Sequence, residues 1–268
     1  MPPLSSCAES PVLMPTRIRL GMLTPSSNTA LEPITAAMLG ELPHVTAHFG
    51  RFKVTQIALS PNALAQFDDS AIMTAADLLA DARCDVIAWN GTSSGWIGFD
   101  ADERLSARIR ETTNAKAATS MLGLNQALAM TGVRRLGLVT PYTADVQQKI
   151  VANYAALGIQ IAAERHLNIS ENFAFSEVDP GQIAAMVRAV AREKPDAPPD
   201  AIAIVCTNLR AAPEVAMLEA ELGIPVYDTI ATVVWQSLLQ AGADPSLVKG
   251  WGSVVQLMPI QHTPGPSS

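Results

Sequence analysis

Two stretches of the chain end alike: VIAWNGTSS at Val86–Ser94 and AIVCTNLR at Ala203–Arg210. Each is a short apolar run that stops at small polar residues. Uniformly apolar runs of this length read as strands buried on both faces, and such strands belong to parallel sheets covered by helices. Working outward, the expected strands are Ile18–Leu23, Val45–Phe52, Val86–Trp89, Leu136–Thr140, Ile159–Glu164, Ile202–Cys206 and Val226–Asp228. Long Ala- and Leu-rich segments separate them. Ser60-Pro61 and Asp179-Pro180 each place a capping side chain before a proline at the first helical position. Proline does no harm there, because its missing N–H would have had no helical partner. The two helices are expected to run to about Arg83 and about Lys194, the second followed by a loop at Pro195–Pro199.

The order of elements repeats. The first half reads LTPSSNT (Leu23–Thr29), then the helix at Ser60, then the run into Gly91. The second reads VTPYTAD (Val139–Asp145), then the helix at Asp179, then the run into Cys206. This duplication predicts an α/β fold of two similar lobes, each a parallel sheet flanked by helices, related by a pseudo-twofold axis. The expected lobes are residues 17–132 and 133–256, between a flexible N-terminal extension (1–16) and a flexible tail (257–268). Ligands of open α/β sheets bind beyond the carboxyl ends of strands. All four polar turns sit at such ends, so the active site is expected in the cleft between the lobes.

Composition narrows the function. Apolar residues make up 49% of the chain and charged ones 16%, which suits a globular body rather than a disordered one. The net charge of −7 repels phosphate backbones, so nucleic acid is not an expected partner. An anionic substrate would have to be held by local donors rather than by the overall field. The three cysteines, Cys7, Cys84 and Cys206, include no CxxC pair, which favours a reducing, cytoplasmic setting. No apolar run is long enough for a membrane span, and residues 1–16 lack the features of a signal peptide. No GxGxxG follows a strand and no phosphate-binding P-loop is present, so no nucleotide cofactor is expected. His44 and His48 lie on a strand-like segment without helical ligand spacing, so no metal is expected either.

The candidate chemistry lies in the turns. Cys206, followed by Thr207 and Asn208, ends a buried strand. A thiol there has two readings: a reactive group whose pKa a helix N-terminus lowers, or a small buried hydrophobe. Gly91-Thr92-Ser93-Ser94-Gly95 offers hydroxyls and backbone N–H groups to an oxyanion, or is a tight turn of small residues. Pro25, Ser26 and Asn28 belong to a turn that is either a carboxylate cradle or an N-cap region. Tyr142 stands at the matching place in the second half, as a hydroxyl donor or as a wall residue. Trp89, Trp96 and Phe99 are candidates for an apolar wall.

Together these turns resemble the aspartate/glutamate racemase superfamily, in the branch of maleate cis-trans isomerases and arylmalonate decarboxylases. PSSNT at Pro25–Thr29 is similar to the isomerase signature, and VCTNLR and TPYTADV resemble both families. Racemases and isomerases carry a cysteine in each lobe. Here the first-lobe position is Gly91, followed by Thr92 and Ser93 as in the decarboxylases. That resemblance implies a dioxyanion hole built from the hydroxyls of Thr92, Ser93 and Tyr142 and the N–H groups of Cys206 and Thr207. The implied function is cofactor-independent decarboxylation of a substituted malonate-type acid through an enediolate that Cys206 protonates. The alternatives are isomerisation of the maleate or racemase type, and a catalytically weak carboxylate-binding protein. The expected partner is a small carboxylic acid, and a homo-oligomer is left open.

Overall fold

A computed structural model describes residues 16–67 and 69–259. Most of the extension, Cys7 and most of the tail lie outside the described residues. Eight strands lie among the described residues: β1 (Ile18–Pro25), β2 (Val45–Phe52), β3 (Val86–Trp89), β4 (Lys116–Thr119), β5 (Arg135–Thr140), β6 (Gln160–His166), β7 (Ala201–Ile204) and β8 (Val226–Asp228). They form two all-parallel sheets, ordered β2-β1-β3-β4 and β6-β5-β7-β8. The sheets share one topology, so the duplication read from the turns is a duplication of fold. In each sheet the chain crosses outward from the first strand one way and from the third strand the other way. The reversal falls between β1 and β3, and between β5 and β7. It is beyond these strands that the four polar turns lie.

The helices of the first half are α1 (Leu31–Met38), α2 (Pro61–Leu64), α3 (Asp69–Asp81), α4 (Ser94–Ile97), α5 (Asp100–Thr113) and α6 (Ser120–Met130). Those of the second are α7 (Ala144–Ala156), α8 (Asn172–Phe175), α9 (Pro180–Arg192), α10 (Val215–Leu222) and α11 (Thr229–Ala241). The expected cap at Asp179 is present: its carboxylate accepts from the N–H groups of Gly181 at 2.8 Å and Gln182 at 3.3 Å. Ser60 caps α2 in the same way. The single helix expected from Ser60 to Arg83 is broken, however. A 3-10 turn at Ala65–Phe67 separates α2 from α3. Within it Gln66 turns back to accept the N–H of Thr55 at 2.7 Å and to donate to the carbonyl of Gln56. A side chain satisfying loop backbone outweighs the continuation of the helix here.

Strand β4 was absent from the expected set. Its sequence, KAAT, carries no β-branched residue before its last position, and alanine favours helix. It is a strand because β3 offers a ladder on one side and α11 covers its face. Helix α11 follows the last strand of the second sheet yet packs on α6 and β4 of the first half. Gln236 accepts the N–H of Thr119 at 2.9 Å, and the Thr232 hydroxyl donates to the Ser120 carbonyl at 2.9 Å. The two helices approach at Gly123, where an added Cβ would stand 2.6 Å from the carbonyl oxygen of Thr232. Gly123→Ala is therefore expected to destabilise the protein by about 1–3 kcal/mol through overpacking against rigid backbone. This is expected despite the gain of ~1 kcal/mol that alanine brings to a helix. A denaturant midpoint at or above that of the wild type would contradict the close approach.

Candidate active site

The turns after β1, β3, β5 and β7 converge. Pro25, Gly91, Thr92, Ser93, Tyr142, Cys206 and Thr207 line one small cavity between the lobes, with about 20 Å³ of room. Trp89, Trp96, Phe67, Val54, Ile57 and Asn172 complete its wall. Among the described residues no charged side chain lines it. Any anion held there must rely on hydroxyls and N–H groups in a medium of low dielectric, where each donor counts for more than in water.

Cys206 lies two residues beyond β7, in a turn rather than at a helix N-terminus. The lowered pKa expected from a helix end is accordingly not found. Burial instead pushes the thiol up to about 12. The N–H of Asn208, 3.4 Å from Sγ, and the Tyr142 hydroxyl pull the other way, while the Asp228 carboxyl adds to the rise. At neutral pH Cys206 is a thiol, a proton donor rather than a ready nucleophile. The Tyr142 hydroxyl sits 2.6 Å from the Thr92 hydroxyl, and its own pKa is raised by burial and by the neighbouring sulfur. Tyr142 is held edge-on by Trp96 and Phe175, with ring centroids 5.2 and 5.6 Å away.

Four backbone N–H groups around the cavity, those of Gly91, Thr92, Ser93 and Thr207, have no acceptor among the described residues. The N–H of Cys206 differs: it donates to the Thr229 hydroxyl at 3.1 Å and is already committed. The donors on offer are thus four amides, the Ser93 hydroxyl and one proton of the Thr92–Tyr142 pair, whose other proton is spent within the pair.

Ser26, Asn28 and Asn208 do not line the cavity. Asn28 and Asn208 form a clamp between the lobes. Asn28 donates to the Thr207 carbonyl at 3.0 Å and accepts from the N–H groups of Ala30 and Leu31. Asn208 accepts from Thr29 at 2.9 Å and donates to the Asn172 carbonyl at 2.6 Å. The Thr207 hydroxyl donates to the Asn90 carbonyl at 2.9 Å. These side chains hold the turns in register. Ser26 exchanges hydrogen bonds with the backbone of Val54. Phe99 points elsewhere, against Tyr154, with ring centroids 5.2 Å apart. His48 stays on β2 beside Thr46, away from the cavity.

Gly91 is explained by space. A Cβ there would stand 1.9 Å from Cζ2 of Trp89. The indole, buried against Phe52 with centroids 5.2 Å apart, fills the place where a first-lobe side chain would project. A thiol at position 91 would require Trp89 to move. Sequence reasoning missed Val54 and Ile57, on the loop after β2, Phe67, at the end of the 3-10 turn, and Asn172, at the start of α8, none of which carries a local signal. Val54, Ile57 and Asn172 sit where two loops join across the cavity mouth. Ile57 donates to the Ser170 carbonyl at 2.8 Å and Asn172 to that of Thr55 at 2.9 Å.

One further acid stands near the turn. Asp102, on the first turn of α5, is buried, and its carboxyl is raised from 3.8 to about 7 by that burial. The hydroxyls of Thr119 and Ser94 beside it pull the other way, yet Oδ2 has no hydrogen-bond partner. The folded state thus holds this proton more tightly than the unfolded chain. Its contribution to stability is full below the ordinary carboxylate pKa and is lost as pH rises from about 4 to 7, by up to about 4 kcal/mol. Asp102→Asn removes that loss. The variant is expected to gain stability relative to wild type across pH 4–7 and to keep a constant margin above it. Urea unfolding at pH 4.5, 6 and 8 checks this, and a pH-independent difference would refute it.

Comparison with known proteins gives the family of the chain. The pattern of the Amdase family, arylmalonate decarboxylase, matches residues 20–255. A maleate isomerase of Geobacillus stearothermophilus is 26% identical over 235 residues, 84% of this chain and 92% of that protein. An arylmalonate decarboxylase of Bordetella bronchiseptica is 25% identical over 234 residues, 87% of this chain and 94% of that one. The crystal structure of the maleate isomerase Iso from Pseudomonas putida S16 superposes with a TM-score of 0.80 at 25% identity, covering 90% of this chain and 98% of its own. The chain belongs to the arylmalonate decarboxylase family and is an enzyme of the isomerase or lyase kind.

Proposed function

We propose that the protein removes CO2 from an α-substituted malonate-type acid without a cofactor, through an enediolate that Cys206 protonates. The observation that carries this reading is the asymmetry of the cavity. A single buried thiol lines it, and the Trp89 ring fills the space over Gly91 where a second side chain would project. Loss of CO2 breaks a C–C bond and leaves its electron pair on the α-carbon, delocalised onto the remaining carboxylate. No base is needed. A single acid then suffices: the Sγ–H of Cys206 transfers its proton to that carbon, and the thiolate regains one from water after product release. Exchange of an α-proton between two faces would need an acid or base on each.

The surroundings favour this sequence of events. The hydroxyls of Thr92, Ser93 and Tyr142 and the free amides of Gly91 to Ser93 and of Thr207 suit the two oxygens whose charge grows in the transition state. A second carboxylate lying against Val54, Ile57 and Phe67 has no donor to replace its hydration. Departure as neutral CO2 relieves that cost. Burial that keeps Cys206 protonated also suits an acid.

Maleate-type isomerisation is the second reading. It is supported by the maleate isomerases among the relatives and by the PSSNT turn, with Cys206 adding to the alkene as a thiolate. Incubation with phenylmalonate, alkyl-substituted malonates and maleate separates the two. CO2 release in D2O, with one deuterium placed on the α-carbon in one configuration, is the expected result. Loss of the maleate alkene signal without CO2 would replace decarboxylation by isomerisation. Measurable binding without turnover would leave only a carboxylate-binding protein.

A further inference from the structure

Tyr142 is tied to the second lobe by a chain of polar side chains outside the cavity. Its backbone N–H donates to the Thr140 hydroxyl at 3.3 Å. That hydroxyl donates in turn to Oε1 of Gln147 at 2.7 Å. Nε2 of Gln147 donates to Oε2 of Glu164 at 2.8 Å, and Nδ1 of His166 lies 3.0 Å from the same oxygen. Thr140 ends β5, Gln147 stands near the start of α7, and Glu164 and His166 are two apart on β6, hence on one face of it. The parallel register of β5 with β6 sets Glu164 opposite Leu138 and His166 opposite Thr140. The chain thus runs from a half-buried ion pair to the turn that carries Tyr142.

The order of donors along this chain is fixed. An ionised carboxylate only accepts, so the Gln147 amide must turn its NH2 group to Glu164. Its carbonyl oxygen is then left for Thr140, whose hydroxyl must donate to it. A lone pair of Thr140 Oγ1 is thereby free for the N–H of Tyr142. Thr140 is fully buried and Gln147 is 2% exposed, so water is no substitute partner for either. Loss of one link leaves the others unmatched in a medium of low dielectric. The carbonyls of Pro141 and Tyr142 accept from Ile169 and Asn168 at 2.9 and 3.1 Å, which ties the turn on its acceptor side as well.

We propose that Gln147 is a positioning residue for the reaction: acting through Thr140, it sets the turn that aims the Tyr142 hydroxyl into the cavity. Gln147 does not itself line the cavity. The proposal rests on the reading above that the Tyr142 hydroxyl meets the charge of the enediolate. A residue that only stabilised the fold would act on turnover whether or not that hydroxyl were present.

Two measurements test this, and the first needs no substrate. Full-length protein labelled with 3-fluorotyrosine gives fluorine resonances from Tyr142, Tyr154 and Tyr227, and Tyr142→Phe identifies that of Tyr142. Gln147→Leu and Thr140→Val are expected to shift or broaden the Tyr142 resonance and to leave that of Tyr227 in place. Thr140→Ser, which keeps the hydroxyl, is expected to retain the wild-type position. A Tyr142 resonance that stays in place in either Gln147→Leu or Thr140→Val overturns the proposal. The second measurement is a double-mutant cycle on kcat, with whichever substituted malonate or maleate the wild type turns over fastest. Gln147→Leu is expected to lower kcat by about 10²-fold, the cost of misplacing a group by about 1 Å, with a smaller change in KM. In the Tyr142→Phe background the same substitution is expected to change kcat by no more than about twofold. Losses that multiply would overturn the proposal, because Gln147 would then act by a route other than Tyr142. An unaltered kcat in Tyr142→Phe would overturn the oxyanion reading of the hydroxyl and this inference with it, an outcome distinct from multiplying losses.

Discussion

Replacing Cys206 by serine is expected to lower kcat by at least the ~10²–10⁴-fold that a positioned acid contributes, with the fold intact. Among the described residues the thiol and Tyr142 are the acids that line the cavity, and the thiol lies in contact with the Tyr142 hydroxyl and the N–H of Asn208. Serine keeps the shape and accepts the same N–H hydrogen bond. It is a far weaker acid and a far weaker nucleophile, so the loss is expected under either reading of the reaction. The control is Cys84→Ser. Cys84 is buried beside Gly21 on the far side of the first sheet, and burial raises its pKa as well. That change should leave kcat near wild type and cost about 1–3 kcal/mol of stability, from an added buried hydroxyl. Single-turnover assays with denaturation curves on both variants check the pair. Near-normal turnover by Cys206→Ser would remove Cys206 from the mechanism.

Tyr142→Phe should lower kcat by about 10²–10³-fold, the usual cost of one oxyanion donor, with a smaller effect on KM. The hydroxyl is held 2.6 Å from that of Thr92 and beside the sulfur of Cys206, and Trp96 and Phe175 pack edge-on against its ring. The phenylalanine ring preserves the edge-on packing, so the change reports on the hydroxyl alone. Thr92→Ala and Ser93→Ala should act in the same direction. All three donors meet charge that is fully developed only in the transition state, so the loss belongs in kcat. Variants that raised KM alone would make these groups binders of the ground state and would defeat the enediolate argument.

Much of the fold was legible because it is written locally. Apolar runs of four to eight residues, caps at Ser60 and Asp179 and prolines after them mark strands and helix starts through neighbours in the chain. The seven expected strands are present, three with the expected bounds and four with ends shifted by one or two residues. The repeat of turn, capped helix and buried strand appeared in the sheets as one strand order used twice. Where a local preference was weak or contested, the reading fell short. KAAT became a strand under cover of α11, and the helix from Ser60 broke where Gln66 bonded the Thr55 loop.

The same division runs through the site. The sequence by itself determined that two parallel sheets would carry polar turns at their strand ends, that Cys206 and Gly91 would occupy matching turns, and that hydroxyls would accompany them. Side-chain period, capping and turn chemistry act over a few residues, so a one-dimensional reading captures them. Only the tertiary structure decided what each turn faces. Asn28 and Asn208, expected at the site from their turns, each bond backbone about 180 positions away and clamp the lobes together. Trp89 became the occupant of the space over Gly91, and Asp102 the acid behind it. The Cys206 thiol keeps its proton because both lobes close around it and exclude water. Hydrogen-bond partners, open space and desolvation depend on atoms brought together from distant parts of the chain, and no local pattern carries them.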